Sequence, residues 1–369
     1  MYVLIERNVC DLLPRGLGFM RDKPREKTRN GDALVAPAPV MSVYQRPTER
    51  VLRSPQRDAN PFFHLIESLW MLAGRDDVAT LNHYVGDFGG RYAEEDGRVH
   101  GAYGHRWRVG LGFDQLDVIV RRLLENPSDR QCVLQMWDAR ADTLHQDGFD
   151  DLLGDWKDRP CNTHVYFRVR TVPIDPIMYG DGVVLPRYEY VLDMTVCCRS
   201  NDVVLGAYGA NAVHFSMLQE YVAGRVRTQV GTMYQLSNNY HVYVDQLAKM
   251  EKRLFDGKPT QNLANEMQPY GVGVGWEAEP IGEHWGAWDD DLHAFMECHD
   301  VLWSIPAPSL EMRAEVSNRW FAQVAWKVAF AYFCHKHDRR DEALAVAGQI
   351  EAGDWRGACV EWLLRRYAR

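Results

Sequence analysis

The chain lacks any run of about 18 apolar residues, and Met1 to Asp11 carry Glu6, Arg7 and Asp11 where a secretion signal would be apolar. These absences exclude a membrane-spanning helix and lead us to expect a cytoplasmic protein with no membrane partner. It also lacks surplus positive charge: 42 Lys and Arg against 51 Asp and Glu leave a net charge of -9. A protein that coats nucleic acid needs excess cations to displace counterions, so no nucleic-acid polymer is expected as a partner. A phosphorylated small molecule is compatible, because a few local arginines suffice to hold it. The eight cysteines, at positions 10, 132, 161, 197, 198, 298, 334 and 359, show no paired framework. A disulfide scaffold is thereby excluded and free thiols remain for chemistry. There is no internal repeat and no low-complexity tract.

What is present is the ordinary mixture of a globular protein, 46% hydrophobic and 25% charged residues. The segment 1–58 is rich in Arg and Pro and poorly periodic, and reads as a loop-rich N-terminal stretch with a turn at Thr28-Arg29-Asn30-Gly31. From Pro61 the apolar positions Phe62, Phe63, Leu65, Ile66, Leu69, Trp70 and Leu72 predict a helix stopped at Gly74. A second helix is predicted from Phe113 or Asp114 to Leu124, before Asn126-Pro127. Cys132–Trp137, His164–Val172, Tyr188–Cys198 and Thr228–Tyr234 are rich in Val, Tyr, Phe and Thr and read as neighbouring strands of one sheet, with a buried helix over Asn211–Ala223. After about Gly275 the pattern is helical, at 289–304, 308–336, 340–351 and 354–368. The class is α+β, divided as 1–58, a core over 59–274 and a helical extension over 275–369.

Three places carry chemistry. Pro160-Cys161-Asn162 follows the polar loop Asp155–Arg159 and opens a strand, where a thiol is reachable by substrate, although a lone cysteine is more often a small core residue. Cys198-Arg199-Ser200-Asn201-Asp202 ends a strand with a cation, a hydroxyl, an amide and a carboxylate, a set fit for a phosphate and a polar heterocycle or for a solvated turn. In Ser237–Tyr243, His241 and Tyr243 fall on one face of an extended segment, as sugar ligands or as an aromatic pair at a sheet end. Cys334-His335-Lys336-His337 and Glu297-Cys298-His299 lack the paired spacing of zinc sites, so no metal is expected. The aromatic run from Trp320 to Phe333 reads as helix packing.

Taken in order, Glu67-Ser-Leu-Trp-Met-Leu-Ala-Gly74, Gly101-Ala-Tyr-Gly-His-Arg-Trp-Arg108, Asp114-Gln115-Leu116, Asn126-Pro-Ser-Asp-Arg130, Pro160-Cys161, Arg199-Ser-Asn-Asp202, Gly206 with Asn211, and His241-Val-Tyr243 resemble the thymidylate synthase family, which includes dUMP and dCMP hydroxymethylases. The resemblance implies a mixed β-sheet flanked by helices, to which the C-terminal helices are an addition. It implies that Cys161 adds to C6 of a pyrimidine nucleoside monophosphate and that C5 attacks the methylene of 5,10-methylenetetrahydrofolate. Arg29, Arg199, Ser200 and, from the partner subunit of a homodimer, Arg130 would grip the phosphate. Asn211 would read uracil, where cytosine-specific relatives carry Asp. Glu67 would move protons through water, Tyr103 would support loss of the C5 proton, and Asp202 would orient base and folate. His241 and Tyr243 would bind the ribose, and Trp70 and Phe88 would wall the folate.

Four departures bear on the reaction. Asn162 follows the nucleophile where methylating members usually carry His. The tryptophan pair near the folate is represented by Phe88, Gly89 and Tyr92. The usual double arginine is Arg130-Gln131, and the tail that closes over the folate has no counterpart after about Gly275. Methylation requires hydride delivery in a dry site, whereas hydroxymethylation requires water at the same carbon. The expected activity is therefore hydroxymethylation of dUMP, with thymidylate synthesis and a dCMP or CMP hydroxymethylase as alternative enzymes and an inactive nucleotide-binding protein as the non-enzyme alternative.

Overall fold

The computed structural model describes residues 1–143, 156–178, 184–255, 269–270 and 276–368. Asp155 and the expected boundary at 274/275 lie outside the described residues. The eight-stranded sheet runs β1 (Tyr2–Glu6), β4 (Val40–Tyr44), β8 (Gln229–Tyr243), β7 (Val184–Asp202), β6 (Asn162–Met178), β5 (Val133–Gln135), with the hairpin of β2 (Arg25–Thr28) and β3 (Gly31–Val35) joined to β8 through β3. β1 pairs parallel to β4 and β7 parallel to β8, while the other contacts are antiparallel, so the sheet is mixed.

The N-terminal segment is thus not loop-rich. It holds β1 to β4 and α1 (Val9–Met20), and β1 and β4 belong to the main sheet. Its sequence hides this for physical reasons. Pro14 lies inside α1, where proline normally breaks a helix, and β2 is exposed along its whole length and so shows no alternation. The Arg- and Pro-rich portion is the connection that follows β4.

α2 (Pro61–Leu72) forms because Asn60 accepts the Phe63 amide at 3.2 Å, Pro61 occupies the first turn, and Gly74 supplies the φ of +73° that ends it. Three short helices follow, α3 (Ala79–Asn82), α4 (Phe88–Tyr92) and α5 (Tyr103–His105), then α6 (Gln115–Glu125), capped by Asp114. α7 (Asn211–Arg225) is buried from Asn211 to Ala223 and packs between the sheet and α2. α8 (Val244–Phe255) leaves the sheet after β8.

The C-terminal helices are α9 (Trp288–Ser304), α10 (Trp326–Lys336), α11 (Arg340–Ala347) and α12 (Gly353–Tyr367). The long helix expected over 308–336 is shortened, because residues 308–318 are irregular. There the Ser317 and Asn318 amides donate to Asp291 at 2.9 and 2.7 Å, and those bonds replace a helical ladder. The helices dock on the face of α2 opposite the sheet, with the Phe62 ring 5.2 Å from Tyr332 and 5.5 Å from Trp362. Charge reinforces the junction. Asp289 accepts from Arg108 at 2.8 Å and also meets Arg225 and Tyr221, and Asp58 meets Arg366 at 2.8 Å and Arg365 at 3.2 Å. The aromatic run from Trp320 to Phe333 is buried as core.

Candidate active site

The strand register gathers the chemistry at one end of the sheet. Cys161 immediately precedes β6, where Asn162 pairs with Cys198 and the Arg199 amide donates to the Cys161 carbonyl at 2.8 Å. Because β7 and β8 run parallel, Ser200 lies opposite Asn239 and Asp202 opposite His241. The Asn30 amide reaches the Tyr243 hydroxyl at 3.3 Å, which brings the Arg29 turn to the same end. Cys161, Arg199, Ser200, Asp202, His241, Tyr243 and the Arg29 turn thus share one edge. Arg130 does not join them. It lies three residues before Val133, which pairs with Tyr166, itself five residues along the strand from Cys161 or roughly 17 Å at the rise of an extended strand, and it is exposed.

The loop before Cys161 is braced from below. Asp142 accepts from Arg106 at 2.6 and 2.7 Å and from His100 at 2.8 Å, and the Arg159 guanidinium donates to the Asp142 carbonyl at 3.0 Å. Burial would raise the Asp142 carboxyl, but His100 and Arg106 bring it down to about 2. Trp156 stacks on His100 with ring centres 3.9 Å apart. Gly101 and Gly104 have no room for a Cβ, which would meet Asp158 at 2.2 Å and the Met71 carbonyl at 1.9 Å. Their absence of a side chain lets the Tyr103 segment lie against α2 and the nucleophile loop.

Arg199 faces the thiol. Its guanidinium donates to the Pro160 carbonyl at 2.8 Å, lies 4.0 Å from the Cys161 sulfur and rests over Trp137. Burial pushes the Cys161 thiol up, Arg199 opposes that and Asp158 adds to it. Tyr103 is held well above the usual phenol range by burial, with Cys161 and Asp158 contributing.

Beside the thiol is a cavity of about 470 Å³ lined by Glu67, Trp70, Phe88, Tyr103 and Asn211, and also by Arg57, His64, Asp158 and His214. Asn211 is fixed by its neighbours: Asn162 donates to its oxygen at 3.4 Å and its amide nitrogen donates to Asn201 at 3.1 Å. Asp202 accepts the Val204 and Leu205 amides with one oxygen, while the other is buried without a partner. That oxygen fits a ligand N–H donor, and Trp70 and Phe88 supply the flat apolar wall that a bicyclic heterocycle requires. Burial raises the Asp202 carboxyl above the ordinary range.

Reading the sequence missed Arg57, His64, Asp158 and His214. Two of them had a signal: His64 precedes Glu67 by three residues and His214 follows Asn211 by three, which on a helix places each pair on one face. Arg57 donates to the Val204 carbonyl at 2.9 Å and left no pattern of its own. Among the described residues no group of three or more His, Cys, Asp or Glu is placed to hold a metal. In the extension, His299 instead meets the Tyr84 hydroxyl at 2.8 Å and His335 the Tyr367 hydroxyl at 3.2 Å.

A family model described as thymidylate synthase matches residues 60–268. The deoxyuridylate hydroxymethyltransferase of Pseudomonas phage M6 is 38% identical, covering 100% of this chain and 95% of the relative. That of Bacillus phage SP01 is 29% identical over 66% of this chain and 57% of its own length. The thymidylate synthase of Streptococcus suis is 29% identical over 51% of this chain and 58% of the relative. Among solved structures, thymidylate synthase from T4 phage matches with a TM-score of 0.48 and 19% identity, covering 69% of this chain and 82% of that one.

Proposed function

The chain belongs to the thymidylate synthase family, and from that premise we propose that it hydroxymethylates C5 of dUMP by way of a covalent bond between Cys161 and C6. The observation that carries the reading is similarity along the whole chain, extension included, to a deoxyuridylate hydroxymethyltransferase, supported by the gathering of Cys161, Arg199, Ser200, Asp202 and His241 at one sheet end. The co-substrate is 5,10-methylenetetrahydrofolate, which supplies the one-carbon unit when bound. Asp202, Trp70 and Phe88 would hold it.

The chain's own residues divide the work. Arg199 both anchors the phosphate and stabilises the Cys161 thiolate, since the same guanidinium lies 4.0 Å from the sulfur. A nucleotide phosphate neutralises part of that charge, so it must bind close enough to orient the ring without displacing Arg199 from the thiol. Ser200 and Arg29 complete the anion site. Asn211 offers one donor and one acceptor in fixed directions, matching O4 and N3–H of uracil. Tyr103 stays protonated and can hydrogen-bond a water or ring oxygen as C5 loses its proton. Asn162, buried and bonded to Asn211, replaces a titratable group with an amide and leaves a polar wall next to the base.

The working enzyme is a cytoplasmic homodimer in this reading. Tyr166 stands exposed on the face of β6 turned away from Phe167, and Arg130, apart from its own Cys161, is free to enter a partner's site. Mixing Arg130→Ala with Cys161→Ala protein would restore activity through heterodimers carrying one intact site. No restoration on subunit exchange would remove Arg130 from the partner's site.

Mass spectrometry of products from dUMP, dCMP, UMP and CMP, each with methylenetetrahydrofolate, tests the reaction and the base together. A hydroxymethyl group on dUMP is expected. A methyl group, or turnover of dCMP alone, would refute the proposal.

A further inference from the structure

Cysteine addition and one-carbon attachment leave open what brings water to the methylene, and a pair of side chains in the cavity wall answers to that need. Glu67 on α2 and His214 on α7 meet in the wall of the cavity, carboxylate oxygen to ring nitrogen at 2.9 Å. The approach is off-line for a hydrogen bond. The Glu67 oxygen and both His214 ring nitrogens are buried and have no hydrogen-bond partner. Buried polar atoms in this state are costly unless water or a ligand meets them, and the cavity they border is the source of either.

His214 shares its helix face with the base-reading Asn211, three residues earlier, so a group held by His214 lies beside the base edge. His64, one turn before Glu67, is kept well below the ordinary imidazole range by burial, Arg57 and His214, so it adds no competing positive charge. The cavity around the pair is also lined by Arg57, Asp58, Arg91 and Asp158, and by the Tyr103 ring, which stacks on Phe215.

We infer that His214 is a positioning residue for the water that adds to the exocyclic methylene, holding it against Glu67, which takes its proton. The inference rests on the hydroxymethylation reading above. In the step, the water oxygen forms a bond to the exocyclic carbon, and the electron pair of the exocyclic double bond moves into the ring toward O4. That pair then re-forms C5=C6 as the C6–S bond to Cys161 breaks. The water proton passes to Glu67 and from there to the departing thiolate. Carbon stays at the oxidation level of formaldehyde, so no reductant is consumed.

Two readings taken from one reaction test this. Tritium release from 5-tritiated dUMP reports cysteine addition, one-carbon attachment and C5 proton loss, and 5-hydroxymethyl product reports the water step. In His214→Ala we expect tritium release within about threefold of wild type while hydroxymethyl product per tritium released falls at least about tenfold. An added small thiol should then appear on the nucleotide as a 5-thiomethyl ether, having replaced water as the nucleophile. His214→Gln, which keeps an amide near the Nε2 position, should give an intermediate ratio, and it decides the matter if the alanine variant does not fold. A folded variant with the wild-type ratio overturns the inference, whether both signals hold or both fall together. Wild-type protein that releases tritium but forms no hydroxymethyl product would instead overturn the reading on which it rests.

Discussion

Replacing Asp354 by Asn should change how the stability of the protein depends on pH. Asp354 opens α12 and is buried against the core, where its carboxyl accepts the Tyr270 hydroxyl at 3.1 Å and the Trp355 amide at 2.7 Å. Burial is the dominant influence and pushes the carboxyl from 3.8 up to about 7, against the downward pull of the Trp355 amide, Arg50 and Tyr270. A raised carboxyl stabilises the fold in its protonated form. That contribution is complete below the unfolded value near 4 and is lost as pH rises to about 7. At about 1.4 kcal/mol per tenfold change in proton affinity, the loss over this window is about 4 kcal/mol. Other groups act in the opposite sense, among them Asp142, lowered to about 2, and His83, lowered by burial to about 4. The informative quantity is therefore the difference between variant and wild type. Urea unfolding at intervals from pH 4.5 to 8 should show Asp354→Asn gaining on wild type as pH rises and levelling above about 7. A difference independent of pH would show that Asp354 does not titrate in the folded protein as argued.

Other outcomes follow from the same geometry. Cys161→Ala should lower product formation and tritium release by at least about 10⁴-fold while dUMP binding, measured by calorimetry, persists. Alkylation of Cys161 by iodoacetamide in the free enzyme should keep accelerating past pH 9, because burial raises the thiol; a plateau below pH 8 would contradict that. Asn211→Asp should lower kcat/KM for dUMP by about 10²-fold and raise it for dCMP, because the carboxylate offers acceptors where uracil needs one donor. Phe62→Ala should cost about 3–5 kcal/mol in urea unfolding, the ring being fully buried between α2 and the C-terminal helices, and a loss under 1 kcal/mol would mean that the extension contributes little to the core.

How much was legible in the sequence depended on where the signal was stored. α2, α6 and α7 were readable because apolar spacing and capping residues agree: Asn60 and Asp114 cap the first two, and Asn211–Ala223 carries the third. That β5 to β8 are strands of one sheet was readable from composition, but their lengths were not. β8 continues through Tyr243 and β7 through Asp202, past the apolar runs, because strand pairing rather than side-chain pattern holds those ends. The site residues on strand ends were found through ordered motifs and do converge. The wall of the cavity was harder: Arg57 and Asp158 come from irregular connections, where no period marks the inward side. His214 had a signal in its distance from Asn211, yet its meeting with Glu67 is a fact of tertiary packing between two helices distant in sequence.

The central claim is that Cys161 attaches the pyrimidine and that water, not hydride, completes the methylene. Running dUMP and methylenetetrahydrofolate with the enzyme in ¹⁸O-labelled water and weighing the nucleotide product tests it in one step. The account predicts 5-hydroxymethyl-dUMP carrying the heavy oxygen on the new group. Thymidylate without the label, accompanied by oxidised folate, would contradict it.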